Sequence, residues 1–128
     1  MSEFVHLRVH SKISVGGSTL SVASSKKLGI LKGIPELCHD NNMFACALTD
    51  TNMMSGCAEF SDVMPSSKLQ PIIGVELSIN HHNADPKILR QSSLSKVVLL
   101  AKHHEVYLNL CELRRIMYMR QENHHLGP

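Results

Sequence analysis

Three acid or imidazole side chains in this 128-residue sequence stand at the ends of apolar runs: His10, Asp50 and Glu76. One imidazole with two carboxylates is a ligand set for Zn, Mn or Fe, and such an ion can hold a water for attack on a phosphate. Spacing limits which neighbours can join them. On a strand rising about 3.3 Å per residue, His6 and His10 lie roughly 13 Å apart and cannot share one ion. A co-ligand of His10 on its own strand belongs two residues away, and that residue is Arg8, a permanent cation that cannot ligate. Residue types alone therefore describe a metal-hydrolase arrangement with ligands missing. Plainer roles compete for the other side chains. His6 is expected to hydrogen-bond nearby backbone. The adjacent pairs His81-His82, His103-His104 and His124-His125 are expected in solvent, Met43, Met53, Met54 and Met64 in packing, and Arg114 and Arg115 at a solvated helix end or on a partner surface.

The elements that must position these residues follow from hydrophobic periodicity. Phe4 to His10 alternates with period two, Val5, Leu7 and Val9 on one face and His6, Arg8 and His10 on the other, which predicts a strand. Residues 11–25 are rich in Ser and Gly and predict a long solvated loop. A helix in two pieces is expected next, Ser25 to Leu31 and then, past Gly33, a restart with Pro35 in its first turn and a stop at Asn41-Asn42. Phe44 to Thr49 reads as a strand covered on both faces. Gly56 to about Met64 suits a short helix closed by Pro65, and Leu69 to Ile79 a third strand with Gly74 inside it. Residues 80–94 form a loop excursion before a fourth strand, Lys96 to Ala101, and a helix from about Glu105 to Arg120 with Val106, Leu110, Leu113 and Met117 on one stripe. This alternation predicts an α/β fold with mainly parallel strands, in which function gathers at the C-terminal strand ends.

Composition sets the outer limits. A chain of this length at 43% hydrophobic residues buries one modest core, so residues 1–128 are one domain or part of one. Thirteen Lys and Arg against 11 Asp and Glu is too even for attraction to a phosphate backbone to dominate. With no Trp, three Phe and two Tyr, a ladder of aromatics for stacking bases is absent. Cys38, Cys46, Cys57 and Cys111 form no CxxC pair and sit in apolar stretches, as reduced core thiols do. The N-terminus lacks a signal-peptide signature and no apolar run has membrane-spanning length, so a cytoplasmic location with no membrane partner is expected.

Four blocks carry a family resemblance. Phe4-Val5-His6-Leu7-Arg8-Val9-His10-Ser11, Ala47-Leu48-Thr49-Asp50-Thr51-Asn52, Gln70-Pro71-Ile72-Ile73-Gly74-Val75-Glu76 and Val97-Val98-Leu99-Leu100-Ala101-Lys102 resemble, in this order, the PHP (polymerase and histidinol phosphatase) domain that begins bacterial DNA polymerase III alpha subunits. Tyr107-Leu108-Asn109-Leu110 leading into Leu113 is similar to that family's continuation. The resemblance implies a distorted β/α barrel that gathers metal ions from His and Asp/Glu at strand ends, and the chain is expected to be the first, incomplete portion of one. His10, Asp50 and Glu76 match ligand positions. The family's His-x-His has Arg8 at its first His, its Asp-His has Thr51 in place of His, Lys12 and Gly17 stand near frequently acidic places, and later ligand motifs have no counterpart before Pro128.

The resemblance implies a parent subunit that performs DNA-directed DNA synthesis with Mg ions in a later region. The segment itself is expected to hold no cofactor and to serve as a scaffold with a degenerate metal site. Its implied partners are the proofreading exonuclease subunit and other polymerase III holoenzyme subunits, with DNA reached through the parent and a homodimer open to the chain alone. The alternative is an active metal-dependent phosphoesterase or 3′-5′ exonuclease, with Zn or Mn at His10, Asp50 and Glu76. A stand-alone PHP-like binding protein is a third reading. Arg8 is expected to substitute for the metal by bridging Asp50 and Glu76.

Overall fold

The computed structural model describes residues 4–14, 18–79 and 95–126. Seven elements follow one another: β1 (His6–Val9), α1 (Ile34–Asp40), β2 (Ala45–Leu48), α2 (Cys57–Ser66), β3 (Gln70–Ile79), β4 (Ser95–Leu100) and α3 (His104–Leu126). The strands form one sheet in chain order, β1-β2-β3-β4. β1 runs parallel to β2 and β2 to β3, while β4 returns antiparallel along the second half of β3. The expected excursion over 80–94 and Gly17 lie outside the described residues.

The two faces of the sheet differ in chemistry. Along β3, Ile73, Val75 and Leu77 alternate onto one face, where Ile73 joins α1 and α2 through Cys38, Phe60 and Met64, and Val75 and Leu77 meet Leu110 of α3. Cys46 and Leu48 are the β2 partners of Pro71 and Ile73 and lie in the same core. Gly74 and Glu76 point the other way. The helices thus cover one face, and the opposite face carries the polar strand ends.

Both short helices end by the same device, the Schellman motif. Met43 N donates to Cys38 O at 2.8 Å and Asn42 N to His39 O at 3.2 Å, with Asn42 in the left-handed region. Leu69 N donates to Met64 O at 2.9 Å and Lys68 N to Pro65 O at 2.9 Å, with Lys68 left-handed. In each case the apolar residue past the turn, Met43 or Leu69, drops into the core beside the last helical turn. The motif carries α2 one turn position past Pro65, which lies inside the helix.

Three local expectations are corrected. Residues 25–31 form no helix: Ser25 and Ile30 exchange two backbone hydrogen bonds, of 2.9 and 2.8 Å, around Gly29 at φ 71°. Leu28 and Leu31 are exposed, so a helix there would have no face to bury, and tertiary packing supplies most helical stability. Residues 11–25 are no simple solvated linker, because Ser11, Ser14, Ser21 and Val22 are buried. The strict alternation of β1 also fails. His6 pairs with Cys46 and Val9 with Leu48, three steps on β1 against two on β2. This register shift sets both His6 and Val9 beside core residues of β2, while Arg8 and His10 reach Glu76.

The tightest point of the sheet is Gly74, where an added Cβ would lie 2.6 Å from the Leu99 carbonyl oxygen. Gly74→Ala should lower unfolding stability by about 1–3 kcal/mol, measured by chemical denaturation, because the clash is with backbone that cannot step aside.

Candidate functional site

Glu76 is the centre of the polar face. Its side chain is 1% exposed, and both oxygens are engaged from elements distant in sequence. Oε1 accepts from Arg8 Nε at 2.8 Å and lies 2.6 Å from Arg8 Nη2. Oε2 accepts from Thr51 Oγ1 at 3.0 Å and lies 2.6 Å from His10 Nε2. Backbone bonds lock the carboxylate in place, Glu76 N to Asp50 O at 3.1 Å and Asn52 N to Glu76 O at 2.7 Å. Asn52, left-handed at φ 56°, turns the chain after β2 so that Thr51 faces Glu76, and Arg114 Nε of α3 holds the Asn52 carbonyl at 3.2 Å.

Burial opposes ionisation of Glu76, but hydrogen bonds from Arg8 and Thr51, with the charges of His10 and Arg8, outweigh it and hold the carboxyl below its ordinary value. His10 is less well served. Its Nε2 is shielded from water and close to Glu76, yet the contact lacks hydrogen-bond alignment, so the nitrogen has no satisfied partner.

Asp50, 2% exposed, has a separate set of partners. Ser11 N donates to Oδ1 at 2.6 Å, Ser14 Oγ to Oδ1 at 2.9 Å and Ser11 Oγ to Oδ2 at 2.8 Å. Ser14 Oγ in turn accepts from Thr51 N at 2.9 Å. The carboxylate thereby fixes the start of the Ser-rich segment onto the end of β2. The expected Arg8 bridge is half present: the guanidinium reaches Glu76, while Ser11 and Ser14 take the bonds of Asp50. Sequence reading overlooked these serines, although Ser11-x-x-Ser14 directly after a strand was the available signal.

The residues matched to ligand positions therefore separate into a pair and a single. His10 and Glu76 meet, and Asp50 is engaged elsewhere. Among the described residues no three His, Cys, Asp or Glu side chains are grouped to hold a metal ion. Among the described residues the donors do not fit a three-ligand metal centre, since Arg8 stands on Glu76 Oε1 and Asp50 accepts three bonds from Ser11 and Ser14. His6 does not contact Glu76; it lines a groove of about 750 Å³ between β1 and α1 together with Arg8, His10, Leu37 and Met43. Nucleophilic thiol chemistry has no support either. Burial pushes the Cys46 thiol up to about 12 and the Cys57 thiol to about 11, so both are neutral near pH 7.

Two measurements probe this network. Asp50→Asn should lose about 1–3 kcal/mol of unfolding stability, because one of its oxygens becomes an NH2 facing donors. Glu76 is held below its ordinary value near 4.5, so the stability it contributes is complete above that pH and is lost as pH falls through the lower folded value. Glu76→Gln should be less stable than the native chain at neutral pH and show a shallower loss of stability in acid, read from denaturation midpoints between about pH 3 and 7.

Comparison with known proteins adds lineage to this geometry. Residues 6–126 match the PHP domain family. The DNA polymerase III subunit alpha of Rickettsia prowazekii is 30% identical over 128 residues, covering 98% of this chain and 9% of the relative. That of Haemophilus influenzae is 31% identical over 120 residues, covering 94% and 9%, and that of Ureaplasma parvum 35% identical over 107 residues, covering 84% and 9%. The chain spans about 9% of the length of these relatives. Among the described residues no helix is long and apolar enough to cross a membrane.

Proposed function

This chain belongs to the PHP family, and from that premise we propose that it acts as the PHP region of a replicative DNA polymerase alpha subunit, a scaffold and docking module with a degenerate metal site. The observation that carries this reading is the Arg8 guanidinium on Glu76 Oε1, two residues before His10, where a second metal ligand would stand. A guanidinium supplies the positive charge a buried carboxylate requires, and it does so without an open coordination position for water. The network then joins β1 to β3 in place of an ion. DNA synthesis and its Mg ions belong, in this reading, to a polymerase region outside these residues. The docking partners are the proofreading exonuclease subunit and other polymerase III subunits, and DNA is reached through the parent. Among the described residues β1 is an outer strand of the sheet, and that edge gives the isolated chain a route to self-association.

One observation favours a second reading. The buried His10 Nε2, close to Glu76 and without an aligned hydrogen bond, is a nitrogen whose bonding capacity is unspent. A Zn- or Mn-dependent phosphoesterase or exonuclease would use it together with Glu76 and ligands from beyond this chain.

Metal analysis and phosphodiesterase assays before and after chelation separate the two. The scaffold reading expects substoichiometric Zn and Mn and no chelator-sensitive turnover. Arg8→His should lose about 1–3 kcal/mol of stability without metal and regain part of it when Zn or Mn is added. Stoichiometric metal in the native chain with turnover that chelation abolishes would overturn the scaffold reading.

A further inference from the structure

Three sulfur-bearing residues from three parts of the chain lie near the first turn of α2. Met54 lies in the loop after β2, Cys57 opens α2, and Cys111 projects from α3. Cys111 Sγ is 4.0 Å from Met54 Sδ. Cys57 N donates to Met54 O at 3.1 Å, so a tight turn holds these two residues together. Cys57 is 2% exposed, whereas Met54 and Cys111 are half-buried and give the cluster a way in from solvent. All of these thiols are free. A carboxylate stands close by, for a Cβ on Gly56, the residue before Cys57, would lie 3.6 Å from Asp50 Oδ2. Arg8, His10 and Glu76 take no part.

We propose that Met54, Cys57 and Cys111 form a binding site for a soft monovalent cation, Cu(I) being the physiological class. Thiolate and thioether donors select Cu(I) over hard cations such as Mg, which require oxygen ligands. The spacing suits a three-coordinate ion: metal–sulfur bonds of about 2.3 Å in a trigonal plane set the sulfurs about 4.0 Å apart. Met54 and Cys111 already stand at that separation. Binding breaks two S–H bonds, forms two thiolate–metal bonds and one thioether–metal bond, and releases two protons to solvent with no change of oxidation state. The resulting site carries one net negative charge. Cys111 is the ligand with the most freedom to adjust, since Cys57 is fixed at the buried helix start.

The second sulfur group of the chain supplies an internal control. Cys38, Met43 and Cys46 pack in the core between α1 and β2. Reduced protein is titrated with Cu(I) under anaerobic conditions in competition with the chromophoric chelator bicinchoninate. The native chain should withhold one equivalent from the chelator. Met54→Leu, which keeps the apolar volume, should weaken retention by more than about tenfold, and Cys111→Ser by about 100-fold or more, both with unchanged far-ultraviolet circular dichroism. Cys46→Ala should retain Cu(I) as the native chain does. The proposal is overturned if the native chain withholds no Cu(I), if folded Met54→Leu and Cys111→Ser withhold it equally well, or if Cys46→Ala alone abolishes retention.

Discussion

Glu76 is a charge taken almost wholly out of water, and an uncompensated buried carboxylate costs several kcal/mol, enough to exhaust much of the stability of a small domain. Its compensation comes from Arg8 and His10 at the end of β1 and from Thr51 after β2. A single side chain on β3 thereby specifies where two other strand ends must lie. A register shift in β1 accompanies this arrangement, because a regular strand bringing Val9 beside Leu48 would not also keep His6 opposite Cys46. Half of the arrangement is solvent-facing, with the Arg8 side chain 59% exposed, so the interaction acts more through geometry than through raw Coulomb energy.

Asp50 performs a parallel task one strand away. Its three short bonds draw Ser11 and Ser14 inward over the end of β2. Neighbouring carboxylates would repel one another, and here each is given its own donors, the Arg8 guanidinium and Thr51 hydroxyl for Glu76 and the Ser11 and Ser14 hydroxyls with the Ser11 amide for Asp50. On the opposite face the two Schellman motifs seat α1 and α2 so that Phe60 and Met64 fill the space above β2 and β3. The polar and apolar faces depend on each other: helices fixed on one side hold the strands whose ends converge on the other.

In the proposed scaffold reading, this division explains why a family site can be retained in outline without its ion. The ligand positions at strand ends also carry the carboxylates that organise the sheet. Deleting those carboxylates would remove hydrogen bonds from Ser11, Ser14 and Thr51, whereas exchanging a ligand for Arg8 preserves the charge balance. Membership of the PHP family over residues 6–126 fits a chain whose strand order follows its sequence order, each parallel crossover carrying a helix on one face.

Much of this was determined by the sequence. Apolar runs leading into Asp50 and Glu76 specify the strands β2 and β3 that carry these acids, and Asn41-Asn42 a helix stop. These are local consequences of side-chain period and residue type. What only the tertiary structure decided is which acid each cation meets. Period two placed His6, Arg8 and His10 on one face, but cross-strand register set His6 opposite Cys46 while Arg8 and His10 reached Glu76. Residue type allowed Arg8 to bridge two carboxylates, but the loop carrying Ser11 and Ser14 reached Asp50 first. The Ser25 to Leu31 segment had helical composition and no core to pack on. Partner choice and register depend on contacts between residues far apart in the chain, and a pattern read along the chain carries no measure of those distances.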